Sequence, residues 1–206
     1  MAEKMSGYRR IYVDLAGEMA GFDLAANAPH VGLAVTEGGV TVDFFRRLYR
    51  ADATGVRPLD GGPAGDNHLS LIAHYAMSPG RGEPSGHFLP LGRLSGMIEG
   101  RNSFERSMVN GSLGRTFGND SAALAVAAEA LGGLDAGLEQ SSGGRAWLFW
   151  PFPKVPMKLL FFEADDEFPA EYRLLFDSRA TDFLEFEALG FLTGVFIREM
   201  CGTAAE

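Results

Sequence analysis

The chain has 206 residues, of which 46% are hydrophobic and 22% charged, values that argue against disorder and against a fibrous architecture. Its net charge of −9 is uneven, because residues 121–206 hold 6 basic and 14 acidic side chains. This balance predicts no nucleic-acid partner, since phosphate binding needs Lys and Arg, and only the cluster Arg46, Arg47 and Arg50 is available for it.

The length favours one domain over residues 1–206. The apolar stretch 186–200 is interrupted by Glu187, Arg198 and Glu199 and is too short for a membrane span. Residues 1–10 are not followed by the apolar core of a secretory signal. The single cysteine, Cys201, fits a reducing compartment. We therefore expect a soluble cytoplasmic protein without a membrane segment.

The first half of the chain predicts one hairpin and one helix. Residues 33–36 and 40–45 are β-prone runs separated by Gly38 and Gly39, which suit a tight turn. Residues 54–67 are rich in Gly and Pro and predict an irregular loop. Residues 68–77 have helical apolar spacing. A Gly/Pro-rich loop at 79–86 and a short strand at 87–91 follow.

Two further helices are predicted at 102–109 and 122–131. The second has Asp120 or Ser121 as its N-cap and ends at Gly132 and Gly133. The Gly/Ser-rich segment 137–144 is a polar connector and the one plausible internal boundary.

The last part of the chain predicts strands at 145–150, 157–163 and 172–176 and a helix at 183–201. The middle strand is apolar on both faces, as in a strand covered on both sides. The helix is apolar around most of its circumference, which predicts deep burial, and Gly190 and Gly194 predict a close approach of another element. The expected fold class is α+β, a mixed and mainly antiparallel sheet with flanking helices and a buried C-terminal helix.

Several sequence segments are similar to a known family. The segments 152–156, 163–170 and 174–177, with weaker agreement at 72–75, 85–88 and 117–118, resemble the bacterial family catalogued as domain of unknown function 3786 (DUF3786) over about residues 25–200. The resemblance implies a protein of anaerobic bacteria and assigns no reaction, cofactor or catalytic residue. Some members carry a cysteine-rich iron–sulfur segment, which this chain lacks.

Carboxylates are concentrated around the loop between the last two predicted strands. Oxygen ligands of this kind suit Mg²⁺ or Ca²⁺, although the spacing is not that of a calcium-binding loop and a solvated acidic loop is the simpler interpretation. Glu167 and Asp177 are also a possible general acid/base pair, whereas Asp177 alone is typical of a residue that caps the following turn. The candidate metal ligands are Glu163, Asp165, Asp166, Glu167 and Asp177.

The weaker candidates for ligand binding are His74 with Tyr75, and the tryptophans Trp147 and Trp150. His68 and His74 do not share a helix face, so a zinc pair is not expected. A buried indole needs a hydrogen-bond partner, which makes Trp147 or Trp150 candidates for a pocket rim or a subunit contact. No nucleotide-binding glycine motif is complete, and no cofactor is implied.

Two functions remain open at this stage. The first is an accessory protein of anaerobic metabolism that binds a small ligand or a protein partner. The second is a metal-assisted, hydrolase-like enzyme that uses the acidic loop around residues 165–167. The sequence leaves the oligomeric state open.

Overall fold

The computed structural model describes residues 7–94, 102–139 and 144–203. Within them the chain forms seven α-helices, one 3-10 turn at Ala180–Asp182, and two antiparallel sheets of four and five strands. The helices are α1 (Gly7–Met19), α2 (Leu24–Val31), α3 (Asp66–Ala76), α4 (Leu91–Leu94), α5 (Asn102–Phe117), α6 (Ser121–Ala130) and α7 (Phe186–Thr203). The strands are β1 (Ala34–Thr36), β2 (Gly39–Phe44), β3 (Arg47–Asp52), β4 (Gly55–Pro58), β5 (Phe88–Pro90), β6 (Leu134–Leu138), β7 (Arg145–Phe152), β8 (Val155–Phe162) and β9 (Glu171–Asp177). The predicted α+β class is confirmed.

The N-terminal sheet is a meander in the order β1-β2-β3-β4. Its first hairpin, β1 with β2, is the predicted one. The prediction of a loop throughout 54–67 is wrong, because β4 pairs with β3 and buries Val56. The Tyr12 hydroxyl fixes this strand by accepting a hydrogen bond from the Val56 amide and donating one to the Val56 carbonyl, both 2.9 Å long. The Gly/Pro-rich composition of this segment gives no sign of β4, because the strand forms through its hydrogen bonds to β3.

The second sheet has the order β5-β9-β8-β7-β6, with β8 in the centre. The strands predicted at 87–91, 145–150, 157–163 and 172–176 all occur in it. β7 continues to Phe152, and an irregularity between Phe149 and Phe152 accommodates Pro151. The predicted connector 137–144 is wrong at its start, which belongs to the edge strand β6, while residues 140–143 lie outside the described residues.

Three helices follow the prediction closely: α3, α6 and α7. α6 has Asp120 as its N-cap, whose carboxylate accepts hydrogen bonds from the amides of Ala122 and Ala123. α5 extends to Phe117, well beyond the predicted 102–109. α1, α2 and α4 were not predicted at all.

Helix α7 is buried along most of its length, as predicted, and packs against α3, α5 and α6. Phe196 meets Phe149 of β7 edge to face at 4.9 Å between ring centroids. The expectation for Gly190 and Gly194 is wrong, because a Cβ added at either position would meet no atom within 4 Å.

Aromatic rings join the two sheets into one core. Phe152 stacks on Phe44 of β2 at 4.9 Å and on Tyr75 of α3 at 4.3 Å. This stack fixes α3 between the sheets and thereby sets the direction of the side chains on its other face. None of the helices in the described part of the chain is long and apolar enough to cross a membrane.

Candidate functional site

The segment between α3 and β5 is held against the end of β9 by one buried carboxylate. Asp177 is 0% exposed and accepts hydrogen bonds from the amides of Ser85 (3.0 Å), Gly86 (2.7 Å) and Arg179 (2.9 Å). The Ser85 hydroxyl lies 3.1 Å from each of its oxygens. Asp177 does shape the turn that follows β9, as the capping interpretation expected, and it also anchors a segment far away in the sequence.

Two further side chains hold the same segment from either side. The Arg179 guanidinium donates to the carbonyls of Arg81 (2.9 Å) and Glu83 (3.0 Å) and to the Asp182 carboxylate (2.8 Å). The buried Asn27 amide donates to the carbonyls of Ala76 (3.0 Å) and Ser78 (2.9 Å). Backbone carbonyls that would otherwise lack partners are thus satisfied, which keeps an irregular segment in one conformation.

Gly80 allows this segment to touch the residues that precede α7. A Cβ at this position would lie 2.5 Å from the Asp182 carbonyl oxygen and 2.5 Å from the Phe183 ring. No side chain fits there, so the end of α3 and the start of α7 are brought together by a glycine.

A cavity of about 380 Å³ lies where α1, the end of α3 and the start of α7 meet. Its volume is in the range of small-ligand pockets. Apolar side chains form much of its wall, and four ionisable side chains also line it: Glu18 of α1, His74 of α3, Asp182 of the 3-10 turn, and Glu185, which directly precedes α7. The cavity is lined by Leu15, Glu18, His74, Met77, Ser78, Pro79, Thr181, Asp182, Phe183, Leu184 and Glu185.

Burial favours the neutral form of the His74 imidazole in this cavity. Burial lowers its pKa below the ordinary value of 6.5, and the nearby carboxylates of Glu185 and Glu18 offset only part of that effect. Neither carboxylate has a Lys or Arg partner among the described residues, whereas Asp182 is paired with Arg179 at 2.8 Å. The cavity thus combines apolar walls, the paired carboxylate of Asp182, an imidazole whose neutral form is favoured, and two carboxylates, Glu18 and Glu185, for which the described residues supply no cation.

The other predicted ligand-binding residues lie elsewhere. Tyr75 is in the core, where its hydroxyl donates to the Val31 carbonyl and accepts from the Lys154 amide, so it faces away from the cavity. Burial raises the pKa of its phenol strongly. Trp147 is buried under the Arg145 guanidinium. Trp150 is 46% exposed beside the edge strand β6, and the subunit contact considered for it stays a prediction.

The structure does not bring the predicted metal ligands together. Glu163, Asp165, Asp166 and Glu167 are exposed in the β8–β9 loop. Asp177 is at the other end of β9, about 20 Å away at the rise of a strand. No group of three or more His, Cys, Asp or Glu side chains is placed to hold a metal ion in the parts of the chain described above. The same separation removes Glu167 and Asp177 as a cooperating acid/base pair.

Asp165 is the residue of the acidic loop that stabilises the conformation of the turn. The Asp165 carboxylate accepts hydrogen bonds from the amides of Glu167 (2.9 Å) and Phe168 (2.7 Å), and these bonds lower its pKa. It caps the turn, as the solvated interpretation of the loop allowed.

Sequence reasoning missed Glu18 and Glu185. Both occur in unremarkable contexts, and only the packing of α1 and the start of α7 beside His74 gives them a common role. It also missed a polar network in which the Tyr49 hydroxyl lies 3.3 Å from His68 Nδ1 and His68 Nε2 lies 3.3 Å from Glu199. Hydrogen bonding to His68 lowers the pKa of Glu199.

The arginine cluster is largely engaged within the protein. Arg47 makes a two-pronged contact with Asp60 at 2.8 and 2.9 Å, and Arg50 pairs with Asp52 at 3.0 Å. Arg57 adds a second cation to Asp52 at 2.7 Å, and these hydrogen bonds hold the pKa of that carboxyl well below its usual range.

Among known proteins, the chain is similar to one described family. No curated protein matches the chain, and no solved structure matches it either. The sequence profile of the family described as "Domain of unknown function (DUF3786)" matches residues 23–199, which include α3, both sheets and nearly all of α7. The chain therefore belongs to the DUF3786 family.

Proposed function

We propose that this protein is a cytoplasmic accessory protein that binds a small cationic molecule, an amine with an apolar body, in the cavity at His74. The observation that carries the proposal is the pair of carboxylates, Glu18 and Glu185, on an apolar cavity without a cationic partner among the described residues. The single cysteine supports the reducing compartment, and the link to anaerobic metabolism depends on the family resemblance alone.

The chemistry of the cavity selects the ligand class. Met77 and Pro79 are the apolar lining residues that are not fully buried, and Leu15, Phe183 and Leu184 lie behind them. This lining favours a ligand with a hydrocarbon or aromatic body. A protonated amine placed between Glu18 and Glu185 gains charge-assisted hydrogen bonds. Neutral His74 adds a hydrogen-bond acceptor and no repulsion. A carboxylate ligand of the same shape would be repelled.

The test is calorimetric titration with benzylamine and cyclohexylamine against their neutral analogues, benzyl alcohol and cyclohexanol. We expect the amines to bind and the alcohols to bind about tenfold more weakly or not measurably. Glu18→Gln and Glu185→Gln should each weaken amine binding about fivefold to tenfold, a modest factor because both carboxylates are exposed.

The matched control is Glu187→Gln, which removes the same charge from an exposed position of α7 that does not line the cavity. Its amine affinity should equal that of the wild type. The proposal would be overturned if amines and alcohols bound equally well. It would also be overturned if Glu187→Gln lost as much amine affinity as Glu18→Gln and Glu185→Gln.

A further inference from the structure

A second concave surface lies between α5 and α7, towards the C-terminal end of α7. It is an open groove of about 390 Å³. Its lining residues on α7 begin at Gly194, about 14 Å along the helix from Glu185 of the cavity at His74 at 1.5 Å per residue, so it is a separate feature. Its polar lining comprises Ser112, Arg115 and Thr116 from α5 and Arg198 and Cys201 from α7.

The groove carries two positive charges in an acidic protein. Arg115 donates one long hydrogen bond of 3.5 Å to the Ser112 hydroxyl. Neither Arg115 nor Arg198 forms an ion pair with an Asp or Glu of the described residues, in contrast to Arg47 or Arg173, whose guanidinium groups are bound to carboxylates. Both guanidinium groups are exposed. Among the described residues, most of their N–H donors therefore have no acceptor.

The floor of the groove is polar and has room above it. The Thr116 hydroxyl donates to the Ser112 carbonyl at 3.1 Å and lies 3.2 Å from Cys201 Sγ. Cys201 is half-buried. Gly194 adds no side chain, and a Cβ built on it would meet open space. A small ligand can therefore reach the arginines and the Ser112 hydroxyl together, whereas the Thr116 hydroxyl already donates its proton to the Ser112 carbonyl.

We propose that this groove binds an oxyanion carried by a small molecule, held by the guanidinium groups of Arg115 and Arg198 with a hydrogen bond donated by the Ser112 hydroxyl of α5. Guanidinium groups bind phosphate and carboxylate through paired N–H donors. The inference does not depend on the amine site, because the two sites share no lining residue and have opposite charge.

Cys201 is a built-in reporter for the test, because it is the single cysteine of the chain. The experiment compares its alkylation by iodoacetate, an anion, with alkylation by neutral iodoacetamide, at fixed ionic strength. The reference is N-acetylcysteine amide, a neutral free thiol. We expect the iodoacetate to iodoacetamide rate ratio of Cys201 to exceed the reference ratio about tenfold, because two cations concentrate the anionic reagent.

Variants locate the effect. Arg115→Gln and Arg198→Gln should each lower the rate ratio about threefold, and the double variant should return it to the reference value. Arg115→Lys with Arg198→Lys keeps both charges and should keep most of the ratio, which separates loss of charge from loss of fold. The matched control is Arg10→Gln, an exposed arginine of α1 outside the groove, which should leave the ratio unchanged.

Inorganic phosphate and acetate, each added against sodium chloride of equal ionic strength, identify the oxyanion. Phosphate protecting Cys201 from both reagents in the wild type, and not in the double Gln variant, supports a phosphate site, and protection by acetate instead supports a carboxylate site. A rate ratio equal to the reference, with no protection by either anion, would show that the groove is not an anion site.

Discussion

At the residue scale, Asp177 is the side chain on which most of the local architecture depends. It is fully buried, and its partners are backbone amides and a hydroxyl on both sides of the β5–β9 contact. Because hydrogen bonds to a charged acceptor are stronger than neutral ones, its loss is felt both in the turn after β9 and in the segment that walls the cavity.

Asp177→Asn should lower the free energy of unfolding by about 2 kcal/mol, because the new amide group faces backbone N–H donors and leaves at least one of them unsatisfied. Urea unfolding measures it. Asp166→Asn, a change of the same chemistry on an exposed residue of the β8–β9 loop, should have an effect within about 0.5 kcal/mol. A silent Asp177→Asn would contradict the anchoring role.

At the scale of the element, the β8–β9 loop shows why neighbouring carboxylates need not act together. Asp165 is bonded to the amides of Glu167 and Phe168, and its own amide donates to the Phe168 carbonyl at 3.0 Å. Asp165 is therefore the member of the acidic group that the loop conformation uses.

Asp165→Ala should lower the urea midpoint of unfolding, because the two amides lose their acceptor, whereas Asp166→Ala should leave the midpoint unchanged. Equal midpoints for the two variants would mean that the turn does not depend on its cap. Both variants are measured in the presence of a chelator, so that bound metal does not contribute to the difference between their midpoints.

The metal hypothesis for this loop has a direct test. With the carboxylates spread over an exposed loop and Asp177 buried elsewhere, millimolar Mg²⁺, Mn²⁺ or Ca²⁺ should not raise the melting temperature. An ion present at about 100 times the Kd of its site would stabilise the fold by about 2.7 kcal/mol and raise the melting temperature by several degrees. If an ion raised the melting temperature in this way, and Asp165→Ala or Glu167→Gln abolished the effect, the metal-assisted enzyme would become the favoured hypothesis.

At the scale of the whole molecule, the lowered pKa values of His74, Glu199 and Asp52 all make the folded state less stable as the pH falls. The folded-state pKa of His74 is lowered by burial, so the unfolded chain binds more protons as the pH falls below about 6.5. Stability contributed by His74 is thus present above that pH and lost as the pH falls through the folded pKa. Glu199 and Asp52, whose pKa values are also lowered, add losses at more acidic pH.

Between pH 7 and pH 5.5 the free energy of unfolding should decrease in the wild type and decrease less in His74→Gln. His30→Gln, at an exposed histidine of α2, is the control and should follow the wild type. Amine binding should weaken over the same interval, because protonated His74 repels a cation. Parallel pH profiles for wild type and His74→Gln would remove His74 as the group responsible.

The residues alone determined the elements whose information is local. Helices α3, α6 and α7 follow from apolar spacing and from Asp120 as a cap, and the hairpin of β8 and β9 follows from two apolar runs around a polar loop. Such signals depend on residues close in sequence, so they need no partner element.

Tertiary structure alone decided the rest. β4 becomes a strand because β3 supplies its hydrogen bonds, although its own residues favour a loop. Glu18, His74 and Glu185 belong to segments far apart in the chain. The packing of α1 on α3 and the close contact of Gly80 with Asp182 and Phe183 bring them to one cavity. Arg115 and Arg198 likewise face one groove only because α5 packs on α7. Both proposed sites depend on charged and apolar side chains that come close only in the folded chain, and a single sequence does not encode such proximity locally.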